Sequence, residues 1–169
     1  MQLMRQIGSW ILILALDFFV LRKFHFGPWI APIVFPFLLF KLPVKMPIGI
    51  YLILAFSSGL LADIWMNSGG IHAFALTMAA GMRRPILARV LSPEEWDLNL
   101  IPALNRPDIR RFLLSSFFFL FVFQLSFQGI LAASFASLWL LLGYAISNTI
   151  LGMLLLLAWE WAVYKPDRR

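Results

Sequence analysis

Apolar residues in this chain come in long runs, not as one stripe per helix. The clearest are YLILAFSSGLLADIWM (51–66), FLLSSFFFLFVFQLSF (112–127) and LWLLLGYAISNTILGMLLLLAW (138–159). Runs of this kind without a regular polar face read as membrane spans. Composition agrees. Hydrophobic residues make up 62% of the chain and charged residues 13%, against about 25% charged in a soluble domain. The sequence therefore predicts an all-α polytopic membrane protein, with 1–169 as a single integral membrane domain.

Six transmembrane helices are expected, at about 7–24, 29–42, 47–66, 70–88, 112–128 and 138–163. The first resembles a secretory signal, with Arg5 ahead of an apolar run, but no small-x-small site follows it, so it reads as a retained helix. It carries Asp17, a carboxylate expected to pair with Arg22 or a neighbouring helix. The second is punctuated by Pro28, Pro32 and Pro36, with Pro43 after its end. Each proline removes a backbone donor, so this span is expected to be kinked or partly unwound against other helices. The fifth holds seven phenylalanines between 112 and 127 and reads as a lipid-facing surface. In the sixth, Gly143 and Ser147 form a small-x-x-x-small pair suited to close helix contact, and Asn148 reads as interhelical hydrogen-bonding glue. Glu160 reads as a solvated end residue near Lys165.

The net charge of +6 does not point to nucleic acid, because Lys and Arg cluster at the ends of apolar runs, where topology signals lie. With both termini on the cytoplasmic side, twelve of the basic residues fall inside and only Arg22 and Lys23 outside. The expected location is the cytoplasmic membrane, multi-pass, with both termini cytoplasmic.

Polar residues cluster in one place, within 47–82. Gly59, Asp63 and Asn67 are each four residues apart and share one helix face. A tight turn follows (Ser68, Gly69, Gly70), and His72 opens the next helix. Asp63 lies about 24 Å along its helix from Pro47, near an interface rather than the midplane, which makes a proton relay unattractive. Beyond the turn, Arg83, Arg84 and Arg89 alternate with apolar residues around Pro85 and read as a basic interfacial strip that contacts anionic lipid or a cytoplasmic partner.

No enzyme is expected. Without cysteine there is no thiolate nucleophile or thiolate metal site. No phosphate-cradling glycine loop, nucleophile elbow or zinc-protease motif occurs. Asp63, Asn67 and His72 could hold a cation on paper, but such groups at an interface are more often turn and capping groups. No metal and no cofactor are predicted. The serines at 57, 58, 115 and 116 read as groups bonding back to the helix carbonyl four residues earlier.

GLLADIWMNSGGIHAFALTMAAG (59–81) resembles the signature of the MreD family of bacterial rod-shape-determining membrane proteins, through Gly59, Asp63, Gly70, His72 and Ala73. The resemblance implies a fold similar to the six-helix substrate-binding component of energy-coupling-factor transporters. It also implies a non-catalytic scaffold of the cell-elongation complex. Such a scaffold maintains cell shape by linking an MreC-like bitopic protein, MreB filaments and the peptidoglycan synthases RodA and a class B penicillin-binding protein. The turn at Gly59, Asp63, Asn67, Gly70 and His72 would then brace two helices and present a surface to the MreC-like partner. The alternative is a small-solute (vitamin)-binding subunit of an energy-coupling-factor-type transporter. Such a subunit needs several convergent polar groups and an Ala-x-x-x-Ala-like face on its first helix, and the sequence offers neither clearly.

Overall fold

The computed structural model describes residues 33–92, 109–131 and 137–163. The expected first span, Asp17, Arg22, Lys23, the start of the second span and most of the 92–107 connection lie outside these residues.

The described residues form five helices and no strands: α1 (Pro36–Phe40), α2 (Ile48–Met66), α3 (Ile71–Val90), α4 (Ile109–Leu131) and α5 (Leu138–Val163). Three are long and apolar enough to cross a membrane, namely α2, α4 and the Leu138–Trp161 part of α5. The chain is therefore an all-α membrane protein. α3 is equally long, at 20 residues, but its second half carries Arg83, Arg84 and Arg89. It runs on through Pro85 to Val90, so this proline does not end the helix.

α3 packs against both α2 and α4, α5 packs on α4, and α1 touches α3 and α4. The sequence explains these choices. α3 buries Ala73, Ala75, Ala79 and Ala80, small residues that let neighbouring backbones approach closely. α2 buries a narrow stripe (Tyr51, Ala55, Gly59, Ala62, Asp63) and turns Ile53, Phe56, Leu61 and Ile64 outward. In water such a surface would be untenable; in lipid it is the resting state. On α5, Trp139 and Trp161 are 81% and 79% exposed. Their separation along the helix is about 33 Å, close to the ~30 Å of a hydrocarbon core with an aromatic belt at each side.

One expectation holds among the described residues, a second span partly unwound against other helices, and two change. The proline-rich segment forms only the five-residue α1 within 33–47, and Ile33 to Phe40 are all buried. Pro36 stands at the start of α1 and Pro43 just beyond its end, so the ladder of backbone bonds cannot extend in either direction. The phenylalanine-rich helix does not simply face lipid. Phe112, Phe119 and Phe123 point inward with helical spacing and meet α1 and the residue before it: Phe37 lies edge-on to Phe112 at 5.9 Å, Phe40 meets Phe119 at 5.4 Å, and Phe35 meets Phe123 at 6.1 Å. Large rings fill the space beside a segment too short to pack as a regular helix. Finally, Gly143 and Ser147 face outward. The glycine of α5 that meets a neighbour is Gly152, whose missing Cβ would lie 3.7 Å from the Ile33 carbonyl oxygen and 4.0 Å from Leu120.

Candidate functional site: two buried charges on one helix bundle

The α2–α3 connection is built by backbone conformation. Asn67 closes α2 in the left-handed region (φ 52°), and Gly69 and Gly70 follow at φ 67° and 95°. Asn and Gly are the residues that take this conformation at least cost. The backbone N–H groups of Asn67 and Ser68 both donate to the Asp63 carbonyl, which ends the helix. Reversal within so few residues requires α2 and α3 to touch, and Gly59 permits it. A Cβ at position 59 would lie 2.5 Å from Ala73 Cα, 2.7 Å from Ala73 N and 2.8 Å from the His72 carbonyl oxygen.

Asp63 lies inside this crossing, 4% exposed. α3 begins at Gly70, which has no side chain to cap it. The Asp63 carboxylate does so from the preceding helix. Oδ1 accepts from the His72 N–H at 2.9 Å and Oδ2 from the Ala73 N–H at 2.8 Å. These are donors of the first turn, the ones an N-cap side chain normally satisfies. The carboxylate also meets the positive end of the helix dipole. Oδ1 accepts further from the Ser68 hydroxyl at 2.5 Å and from His72 Nδ1 at 2.9 Å.

Ser68, His72 and Asp63 have the composition of a hydrolytic triad but not its geometry. A triad places nucleophile and carboxylate on opposite ring nitrogens. Here both oxygens meet Nδ1, with Ser68 Oγ 2.8 Å away, and the serine hydroxyl donates to the carboxylate. The His72 ring is flanked by Phe127 at 4.8 Å and Phe35 at 6.1 Å. A carboxylate offers about four acceptor positions. These four donors match that number, three of them on Oδ1 and one on Oδ2.

The structure thus brings together Gly59, Asp63, Gly70 and His72. It does not bring in the Asn67 side chain, which is exposed; Asn67 contributes backbone conformation only. Ser68 is a member that sequence reasoning treats only as a turn residue. Its position four before His72 is the available signal.

A second buried charge lies further along α3. The sequence places Arg83 on an exposed basic strip with Arg84 and Arg89, but it is 2% exposed. Its guanidinium donates to the carbonyls of Phe40 at 3.1 Å, of Pro43 at 3.2 Å, and of Leu42. It also lies 4.7 Å from the centre of the Tyr51 ring, whose hydroxyl donates to the Leu39 carbonyl at 3.0 Å. Arg83 and Tyr51 together satisfy the carbonyls that α1, stopped by Pro43, leaves open. A planar fork of donors is well suited to several carbonyls at once. Arg84 and Arg89 are exposed, as expected. Beside this cluster Lys41 forms an ion pair with Glu160, which ties the end of α1 to α5. Glu160 is therefore not simply a solvated end residue.

No protein-family model, curated protein or solved structure matches this chain.

Proposed function

We propose that the chain is a non-catalytic membrane scaffold of the MreD type, with six spans, both termini in the cytoplasm and a fold similar to the substrate-binding component of energy-coupling-factor transporters. In this reading it belongs to the bacterial cell-elongation complex in the cytoplasmic membrane. It links an MreC-like partner, MreB filaments and the peptidoglycan synthases RodA and a class B penicillin-binding protein. The observation that carries the reading is the use of Asp63. Its carboxylate is spent on the start of α3 and on Ser68 and His72. A charge used this way fixes the shape of a turn. The surface it fixes, with Trp65 and Asn67 exposed, is what a partner would meet.

One observation favours the small-solute-binding alternative. Gln124 Oε1 and Ser116 Oγ are buried on α4 and have no hydrogen-bond partner among the described residues. Such atoms in a membrane interior are suited to a polar ligand. Affinity purification from gently solubilised membranes separates the two. The scaffold reading expects wall-synthesis proteins to co-purify and Asp63→Ala to reduce their recovery. Recovery of a transporter ATPase module instead, or unchanged recovery and cell shape in the variant, overturns it. A phosphatase fusion at Arg169, active only outside the cytoplasm, is expected to stay silent.

A further inference from the structure

We infer that the end of the bundle opposite the Asp63 turn binds the phosphate groups of anionic phospholipids through Arg84, Arg89 and Arg110, with acyl chains lying along α3. This inference goes beyond the scaffold reading and rests only on the chain's being in a membrane.

Arg84, Arg89 and Arg110 are all exposed. Arg84 contacts the Met46 carbonyl at 3.4 Å and Arg89 the Pro85 carbonyl at 3.2 Å. Neither meets a carboxylate among the described residues: Asp63 is at the other end of α3, and Glu160 holds Lys41. Depth then selects the ligand. With the turn at one interface, Arg84 stands about 20 Å along α3 from Ile71 and Arg89 about 27 Å. A hydrocarbon core is ~30 Å thick. Arg89 is thus at headgroup level, and so is Arg110 at the start of the 23-residue α4. Arg84 starts roughly 10 Å below that level, yet its guanidinium reaches the level of Met46, ahead of the start of α2. That is the posture of a snorkelling cation. A guanidinium that snorkels to this level meets lipid phosphates with only slight local thinning of the bilayer. The surface leading to Arg89 is apolar: Phe74, Met78 and Met82 are exposed, four residues apart, and Arg89 follows seven residues on along the same face, while Arg84 lies on another face, toward Met46. Tail and headgroup each find their complement on one helix.

The test uses the full chain in nanodiscs containing equal phosphatidylcholine and phosphatidylglycerol, with retained lipids counted by native mass spectrometry. The expected result is several-fold enrichment of phosphatidylglycerol in the retained shell, given about fivefold attraction per cation near an anionic surface. Replacing all three arginines by Gln should bring the shell to the bulk ratio, and replacing them by Lys should keep most of the preference. Should the Gln variant fail to fold by circular dichroism, a salt titration of the natural protein decides: the preference should fall as salt rises. A shell at the bulk ratio in the natural protein overturns the inference. So does enrichment that persists in the Gln variant or is indifferent to salt. Loss of an acidic protein partner in the Gln variant, with no lipid preference in the natural protein, also overturns it. None of these readouts depends on wall-synthesis partners, so they fail or succeed separately from the scaffold reading.

Discussion

Gly59→Ala is the sharpest perturbation of this fold, because one methyl group meets only backbone. The added Cβ would stand 2.5, 2.7 and 2.8 Å from three backbone atoms of His72 and Ala73. Comfortable carbon contacts begin near ~3.5 Å, so α2 and α3 must part by about 1 Å. A flexible side chain could swing aside, but the first turn of α3 cannot. Overpacking of this kind costs ~1–3 kcal/mol. The same displacement stretches the bonds from the His72 and Ala73 N–H groups to Asp63, now 2.9 and 2.8 Å. Each is charge-assisted and contributes roughly 1–2 kcal/mol. The combined loss is about 3 kcal/mol or more, a large share of ordinary stability. Thermal unfolding in mild detergent, followed by circular dichroism, reads this directly. Gly81→Ala is the internal control. Position 81 lies on α3 with no atom within 4 Å of its would-be Cβ. There the substitution should be neutral or stabilise by up to ~1 kcal/mol, through helix propensity alone. Equal stability of Gly59→Ala and the natural protein would refute the close-crossing argument, as would equal losses at both glycines.

Further outcomes follow from the same geometry. Asp63→Asn keeps the shape but turns an N–H₂ toward donors, leaving at least one first-turn N–H of α3 unsatisfied. The expected loss is ~2–3 kcal/mol, with faster hydrogen exchange at His72 and Ala73. Arg83→Lys cannot span three carbonyls and should cost ~2–3 kcal/mol in thermal unfolding, whereas Arg84→Lys on the same helix should stay within ~0.5 kcal/mol. Asn67→Ala forces a Cβ-bearing residue without a compensating side-chain amide into the left-handed region at φ 52° and should cost ~1 kcal/mol, while Asn67→Gly should be neutral or better. Glu160→Gln should weaken the tie between α1 and α5, and a double-mutant cycle with Lys41→Met should return a coupling of about 1 kcal/mol for this partly exposed pair.

What is legible in the sequence divides from what is not along a physical line. The helices over 47–66, 112–128 and 138–163 are legible because lipid demands apolar length, and length is visible in a sequence; the one over 70–88 is apolar only in its first half. The Gly59–Asp63–His72 association is legible too, since four-residue spacing places groups on one face and a two-glycine turn brings the next helix back. Arg83 is misread for a specific reason. Its sequence neighbours Arg84 and Arg89 are exposed, and nothing local separates the three. The difference is made by carbonyls at Phe40, Leu42 and Pro43, some forty residues away, and those are left open only because the proline-rich segment stops short. The inward phenylalanines of α4 escape for the same reason: their partners are in that segment.

The charges at Asp63 and Arg83 solve one problem at two levels of α3, its first turn and about 18 Å further along. A membrane interior supplies no water to satisfy backbone groups that a helix leaves unpaired. Asp63 supplies acceptors where α3 begins without a cap. Arg83 supplies donors where α1 ends in the middle of the protein. Each is the kind of charge that its helix terminus calls for, a carboxylate against N–H groups and a guanidinium against carbonyls. Both are spent on backbone, so exchanging the two charge types should be worse than neutralising either. A double variant carrying Asp63→Arg and Arg83→Asp keeps the net charge yet opposes donors with donors at one level and acceptors with acceptors at the other. It should fail to fold, whereas the paired neutral variant Asp63→Asn with Arg83→Gln should still fold with reduced stability. If the exchanged protein folds as well as the neutral one, the charges are not serving the backbone, and the account of the turn as a mechanical brace falls with them.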